Sequence, residues 1–220
     1  PVQLSNIRGV MDVLIHSGQE FRKSLPLTPA NVQAGGSTTD SLAPDLMYQQ
    51  DAMAVKEMPA VEMTKQAVSI DIPSSIFRAY DIRGIVGQTL NASLAYELGR
   101  AIGSEAYEQG QQTLIVARDG RVSGPELLEA LARGLQATGC DVIDVGMVPT
   151  PVLYFATHHL ETLSGVMVTG SHNPAEYNGF KIILNGVTLA ETQIQSLRHR
   201  LENSRLLSGQ GSYQTRNIIP

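Results

Sequence analysis

The sequence is short of cysteine, of positive charge and of long apolar runs. Cys140 is the only cysteine among 220 residues, so the chain closes no disulfide on itself. Its place after Gly139, at the head of an apolar run, marks it as a small buried hydrophobe. A reducing compartment, the cytoplasm, fits that usage best. No apolar stretch approaches the roughly 20 residues of a membrane span, and no charged-then-apolar signal peptide precedes a small-residue cleavage site. A membrane role is not expected for this segment, although residue 1 is not methionine and upstream sequence is not visible. The formal net charge is −5 and the sequence pI near 5.5, which gives no general attraction to nucleic acid or anionic membranes. Nucleotide motifs are missing too: there is no G-x-G-x-x-G after a strand and no G-x-x-x-x-G-K-[ST].

What is present divides into two textures. Residues 1–70 hold only Phe21 and Tyr48 as aromatics, and residues 26–45, PLTPANVQAGGSTTDSLAPD, are rich in Pro, Gly, Ser and Thr. They read as a flexible extension or linker, with a short helix open at residues 8–22 through Val10, Val13, Leu14 and Phe21. From Ile70 onward strand and helix signals alternate. With 42% hydrophobic residues the chain can fill one good-sized core and part of a second.

The punctuation of this second part is legible. Asn91 caps a helix running to about Gln109, with Ala95, Leu98, Ala101 and Ile102 at helical spacing and Gly110 as a left-handed stop. Residues 113–117 read as a buried strand. Pro125 starts a helix whose Leu127, Leu128, Leu131 and Leu135 form a core stripe, closed by Gly139. DVIDVGMV is a further strand, Pro151 begins a short helix, and GVMVTG is a third interior strand. GFKIIL and VTLA, joined by Asn185-Gly186, predict a hairpin. Residues 191–204 close the series with an amphipathic helix carrying Ile194, Leu197 and Leu201. The expected fold is α/β: a mixed, largely parallel sheet flanked by helices.

Three segments read as loops denser in polar groups than turn chemistry needs: FRAYDIRG (77–84), ARDGRVSGP (117–125) and TGSHNP (169–174). They offer Arg78, Arg83, Arg118 and Arg121, with Lys181 just beyond the third, and a cluster of such cations near exposed backbone amides suits a phosphate group. The plainer alternatives are turns whose arginines lie in solvent, with Asp119-Gly120 as ordinary turn chemistry and Asn173-Pro174 shaping an Asx-type turn. His158 and His159 are adjacent on a helix and so point about 100° apart, a poor metal pair. His199 reads as solvated, and His16 lies in the extension. Ser171 lacks the flanking glycines of a hydrolase nucleophile elbow, since Thr169 and Asn173 stand in those places. What remains is a serine at a loop tip with Lys181 returning on the next strand, an arrangement able to carry a phosphoryl group on the serine itself.

TGSHNP, with FRAYDIRG, ARDGRVSGP and GMVPTP in this order, closely resembles the first domain of the α-D-phosphohexomutases, most specifically the bacterial phosphomannomutase/phosphoglucomutase type, over residues 74–218. The sibling glucosamine-phosphate mutases read closer to GTDGIRG and SASHNP. The resemblance implies that Ser171 carries a phosphoryl group, passes it to a hexose monophosphate and recovers the other from a 1,6-bisphosphate. On that basis Arg83 and Lys181 offset phosphoryl charge, Lys181 assists proton transfer, His172 orients the phosphoserine or leaving oxygen, and Tyr80 lines the sugar cleft. It also implies Mg²⁺ bound through the phosphate on Ser171. The remaining ligands would sit in a DGDGDR-like loop that does not occur here, and the family's sugar-recognition and second phosphate loops are absent as well. The expected organisation is therefore an extension over 1–70, the serine domain over 71–218 and the start of a truncated second domain at 219–220, in a fragment inactive by itself. The parent would feed nucleotide sugars for exopolysaccharides such as alginate and for lipopolysaccharide. Two alternatives stay open: a glucosamine-phosphate mutase, and a non-catalytic phosphosugar-binding module.

Overall fold

The computed structural model describes residues 62–64 and 70–218. The possible helix at 8–22, His16 and residues 219–220 lie outside the described residues. Within the span expected to be an extension, Glu62–Thr64 forms a strand (β1). A 3-10 turn at Ser74–Ile76 leads to β2, Ile82–Ile85. Helix α1, Ala92–Glu108, starts where the Asn91 side chain accepts a 2.9 Å hydrogen bond from the Leu94 amide, and Gly110 beyond its end sits at φ 78°. Strand β3 (Thr113–Arg118) and helix α2 (Gly124–Gln136) follow, with Pro125 in the first turn of the helix and Gly139 at φ 92° past its end. Next come β4 (Asp141–Met147), α3 (Thr150–His159), β5 (Gly165–Val168) and β6 (Tyr177–Leu184). Asn185 and Gly186, both at positive φ, turn β6 into the two-residue β7, Val187–Thr188. Helix α4 (Thr192–Glu202) and short strands β8 (Leu206–Ser208) and β9 (Tyr213–Thr215) complete the order.

The main sheet runs β2-β6-β5-β3-β4-β9, with β7 beside β6, while β1 pairs antiparallel with β8 in a separate two-stranded ladder. Strands β5, β3, β4 and β9 are parallel, whereas β6 is antiparallel to both β5 and β2. The mixed α/β layering is as expected. The antiparallel part is larger than the one hairpin, because β2 begins inside the segment read as the loop FRAYDIRG. Four residues with Arg and Gly at their centre give no local strand signal. Pairing with a long interior neighbour makes them one, in the register Arg83↔Gly179 and Ile85↔Tyr177.

Successive strand residues face opposite sides of the sheet, and the two faces are covered unequally. Leu114, Val116, Val166, Val168, Phe180 and Ile182 pack under α1, α2 and α4. Ile115, Ala117, Ile143, Val145 and Met167 pack under α3, through Leu153 and Ala156. Helices α1 and α2 meet backbone to backbone at Gly99 and Gly134, where an added Cβ would lie 2.3 Å from the Leu131 carbonyl oxygen and 2.1 Å from that of Tyr96. On the other face, one helix leaves the β6 and β2 end of the sheet uncovered, and there the polar residues collect.

Candidate functional site

Register alone brings the site together. On the α3 face, at the edge where the parallel strands end, Asp119, Thr169, Gly179 and Arg83 stand in one row across β3, β5, β6 and β2. Thr169 Oγ1 donates to Asp119 Oδ2 at 2.8 Å, the Thr169 amide donates to the Gly179 carbonyl at 2.9 Å, and Gly179 is the registered partner of Arg83. One row back stand Ala117, Met167 and Lys181, paired in register, and Lys181 Nζ lies 3.8 Å from Asp81 at the start of β2. Gly179 contributes no side chain because the backbone of β2 passes against it: an added Cβ would lie 2.1 Å from the Ile82 carbonyl oxygen and 3.0 Å from Arg83 Cα.

Ser171 stands just beyond this row. It is exposed and in the left-handed region, at φ 55°, which costs a non-glycine residue strain unless neighbours impose it. Thr169 imposes part of it, since its Oγ1 accepts the Ser171 amide at 2.9 Å. Asn173 closes the other side, where its backbone amide and Nδ2 both donate to the Gly170 carbonyl, at 3.1 and 3.0 Å. His172 is exposed beside Ser171, and Tyr80 is 67% exposed on the segment entering β2. Between residues 119–122 and 173–176 an open groove of about 850 Å³ borders the serine loop, a volume in the range of small-molecule sites.

The five cations read from the sequence do not form one cluster. Arg83 and Lys181 do share a site, through buried Asp81, to which Arg83 Nη2 donates and against which Lys181 lies. Among the described residues, the buried Arg83 Nε has no hydrogen-bond partner. Arg121 is occupied by four carbonyl oxygens of the serine loop and its exit, those of Ser171, Asn173, Pro174 and Tyr177. Arg118 pairs in register with Val168, which puts it on the opposite face, and it lines a separate depression with Leu128, Asp144 and Tyr213. Arg78 is exposed and borders a groove with Glu191 and His199. Asp81 and Asp119 were not singled out by sequence reasoning. The signal for both was their place inside arginine-bearing motifs, where a carboxylate two residues from an arginine can serve as its counter-charge.

The histidines outside the loop carry no site. His159 stacks on Phe155 with ring centroids 5.2 Å apart, while His158 and His199 are exposed. Cys140 is buried, and desolvation pushes its thiol up to about 11. Burial and the 2.6 Å bond to Asp144 also raise the Tyr213 hydroxyl, away from the serine loop. A resident divalent cation does not fit the described residues: no group of three or more His, Cys, Asp or Glu among them is placed to hold one, and Ser171 offers a single oxygen.

Comparison with known proteins agrees with this architecture. Residues 74–207 match the model for phosphoglucomutase/phosphomannomutase, alpha/beta/alpha domain I. A phosphomannomutase/phosphoglucomutase of Pseudomonas aeruginosa is 60% identical over 149 residues, 68% of this chain and 32% of that protein. A phosphoglucomutase of Neisseria gonorrhoeae is 51% identical over 149 residues, covering 67% of this chain and 32% of the relative. The crystal structure of a phosphoglucomutase/phosphomannomutase family protein from Burkholderia thailandensis superposes with a TM-score of 0.65 at 51% identity, over 67% of this chain and 34% of that one. The chain thus spans about a third of the length of the curated relatives it matches.

Proposed function

Because the chain belongs to the phosphoglucomutase/phosphomannomutase family through its α/β/α domain I, we propose that it supplies the phosphoryl-carrying domain of a hexose phosphate mutase, with Ser171 as the carrier. The observation that carries the reading is the serine loop itself. An exposed hydroxyl sits at the tip of a loop braced by Thr169, Asn173 and Arg121, at the edge of a sheet face that also presents Arg83 and Lys181.

In this reading the phosphoserine P–Oγ bond breaks as a bond forms from phosphorus to a hydroxyl of a hexose monophosphate, giving the 1,6-bisphosphate. The hydroxyl proton passes by way of Lys181 to Ser171 Oγ, which leaves as the neutral alcohol. The bisphosphate turns, its other phosphoryl returns to Ser171, and the 1- and 6-phosphates interconvert. Such transfer depends mainly on positioning and charge neutralisation. Arg83 and Lys181 offset the roughly −1.5 to −2 charges of the phosphoserine, His172 orients the transferring group and Tyr80 borders the sugar. Mg²⁺ enters the proposal only through the phosphate on Ser171, which would supply one of its oxygen ligands, with the others drawn from outside the described residues. It would add charge neutralisation there, and no step here is routed through it.

The substrates proposed are mannose and glucose phosphates, used in the cytoplasm to supply nucleotide sugars for exopolysaccharide and lipopolysaccharide. Among the described residues no helix is long and apolar enough to cross a membrane. The test is mutase turnover of the complete native protein on glucose 1-phosphate and mannose 1-phosphate, primed with glucose 1,6-bisphosphate. Ser171→Ala should reduce turnover to background while the protein stays folded. Turnover retained by that variant would overturn the proposal, and preference for glucosamine phosphate would move the enzyme to the sibling class.

A further inference from the structure

Arg121 has more hydrogen bonds than a surface turn residue needs, and all of them run to backbone or to one aspartate. Nη1 donates to the carbonyls of Pro174 at 2.6 Å and Tyr177 at 2.9 Å. Nη2 donates to those of Asn173 at 2.7 Å and Ser171 at 3.2 Å. Nε lies 3.4 Å from Asp119 Oδ2, the same oxygen that accepts the Thr169 hydroxyl. The side chain is only 15% exposed. Gly170 makes room for it: a Cβ there would lie 2.3 Å from the guanidinium carbon and 2.4 Å from Nε.

We propose that Arg121 is the positioning residue of the serine loop, fixing the backbone that presents Ser171 for phosphoryl transfer without touching the phosphoryl group or the sugar. This rests on the carrier role proposed for Ser171. Four carbonyls drawn to one planar cation fix four peptide planes between residues 171 and 178. A trans peptide points its C=O and N–H in opposite directions, so seating the Ser171 carbonyl on Arg121 turns the His172 amide away from it. The positive charge is matched locally by Asp119, which makes Arg121 a brace rather than a phosphate ligand. Lysine cannot replace it, because a single ammonium lacks the fork that reaches carbonyls on two sides. Glycine at position 170 belongs to the same device. A methyl group there has to displace a guanidinium that its four carbonyl partners hold in place.

The test uses the complete native protein with Ser171 loaded from glucose 1,6-bisphosphate, comparing wild type with Arg121→Lys, Arg121→Met and Gly170→Ala. The readouts are kcat and KM, the ³¹P resonance of the phosphoserine, amide exchange over residues 170–177 and thermal stability. The expected result is a kcat about 100-fold lower in Arg121→Met with KM for glucose 1-phosphate within about threefold, the order of loss that misplacing a reacting group causes. The phosphoserine resonance should broaden or split, and exchange should rise in that segment alone. Gly170→Ala should give the same signature, and adding it to Arg121→Met should cost little more, because both break one clamp. If Arg121→Met fails to fold, Arg121→Lys and Gly170→Ala decide. Unchanged kcat and an unchanged ³¹P line in loaded, folded variants would overturn the inference, as would a fall in thermal stability with no change in kcat. Failure of the wild type to load at Ser171 would instead overturn the carrier reading on which it rests.

Discussion

Replacing Gly134 by alanine sets two physical effects of opposite sign against each other. Gly134 lies inside α2, where alanine is preferred over glycine by about 1 kcal/mol on helix propensity alone. Against this, the new Cβ would stand 2.1 Å from the Tyr96 carbonyl oxygen and 3.0 Å from the Arg100 amide nitrogen, both backbone atoms of α1. No side chain can swing aside, so the helices must separate by about 1 Å to reach even a close carbon–oxygen contact. Their separation loosens Leu98, Ile102, Leu131 and Leu135, all fully buried. Overpacking of this kind costs about 1–3 kcal/mol, and backbone-on-backbone contact belongs at the upper end. Subtracting the propensity gain leaves the variant about 2 kcal/mol less stable. In urea unfolding followed by circular dichroism, that moves the midpoint down by about 1 M at unchanged slope, and the melting temperature falls by about 4–8 °C. Gly124→Ala is the control, because its Cβ meets chiefly Arg118 Cδ at 3.2 Å, a side chain able to move, and it should stay within about 0.5 kcal/mol of wild type. A Gly134→Ala chain that is more stable than wild type would refute the close helix crossing.

Two further outcomes follow from groups away from the serine loop. With its thiol buried and pushed up to about 11 by desolvation, Cys140 should resist iodoacetamide at pH 8 in the folded chain and react fully in denaturant; fast labelling of the native protein would contradict its burial. The Glu108 carboxyl is held below its ordinary value of 4.5, chiefly by its hydrogen bonds to Arg200 at 2.6 and 2.9 Å, with burial acting the other way. A lowered folded-state value means that its contribution is fully present above about pH 4.5 and is lost as pH falls through the folded value. Wild type should therefore exceed Glu108→Gln in urea midpoint at pH 7, and the difference should shrink at pH 3. A difference that grows on acidification would contradict the pairing.

What the sequence could show depended on how local each feature's cause is. Asn91 announces α1 because its side chain serves an amide three residues on, and Asn185-Gly186 announces a hairpin because both residues take positive φ themselves. Strands β2 and β9 have no such cause. Arg83 is in a strand because Gly179, 96 positions later, offers it an edge, and Tyr213–Thr215 is exposed throughout, without the alternation of a half-buried strand. The same division holds in the candidate site. Ser171 and His172 stand out as residue types just past a strand end, and Lys181 as a cation on the strand that returns. The tasks of Arg121 and Asp81 depend on partners brought in by strand register. Arg121 meets carbonyls 50 to 56 positions away and Asp81 meets Lys181 of the neighbouring strand β6, so sequence reading groups Arg121 with phosphate-binding cations and passes over Asp81.

The claim at the centre of this account is that Ser171 accepts and returns a phosphoryl group. Phosphopeptide mass spectrometry on the complete native protein, as isolated and after incubation with glucose 1,6-bisphosphate and Mg²⁺, tests it directly. The account predicts phosphate localised on Ser171 and removed again when glucose 1-phosphate is added in excess. A folded protein whose Ser171 stays unmodified under loading conditions would contradict it and leave a phosphosugar-binding module in its place.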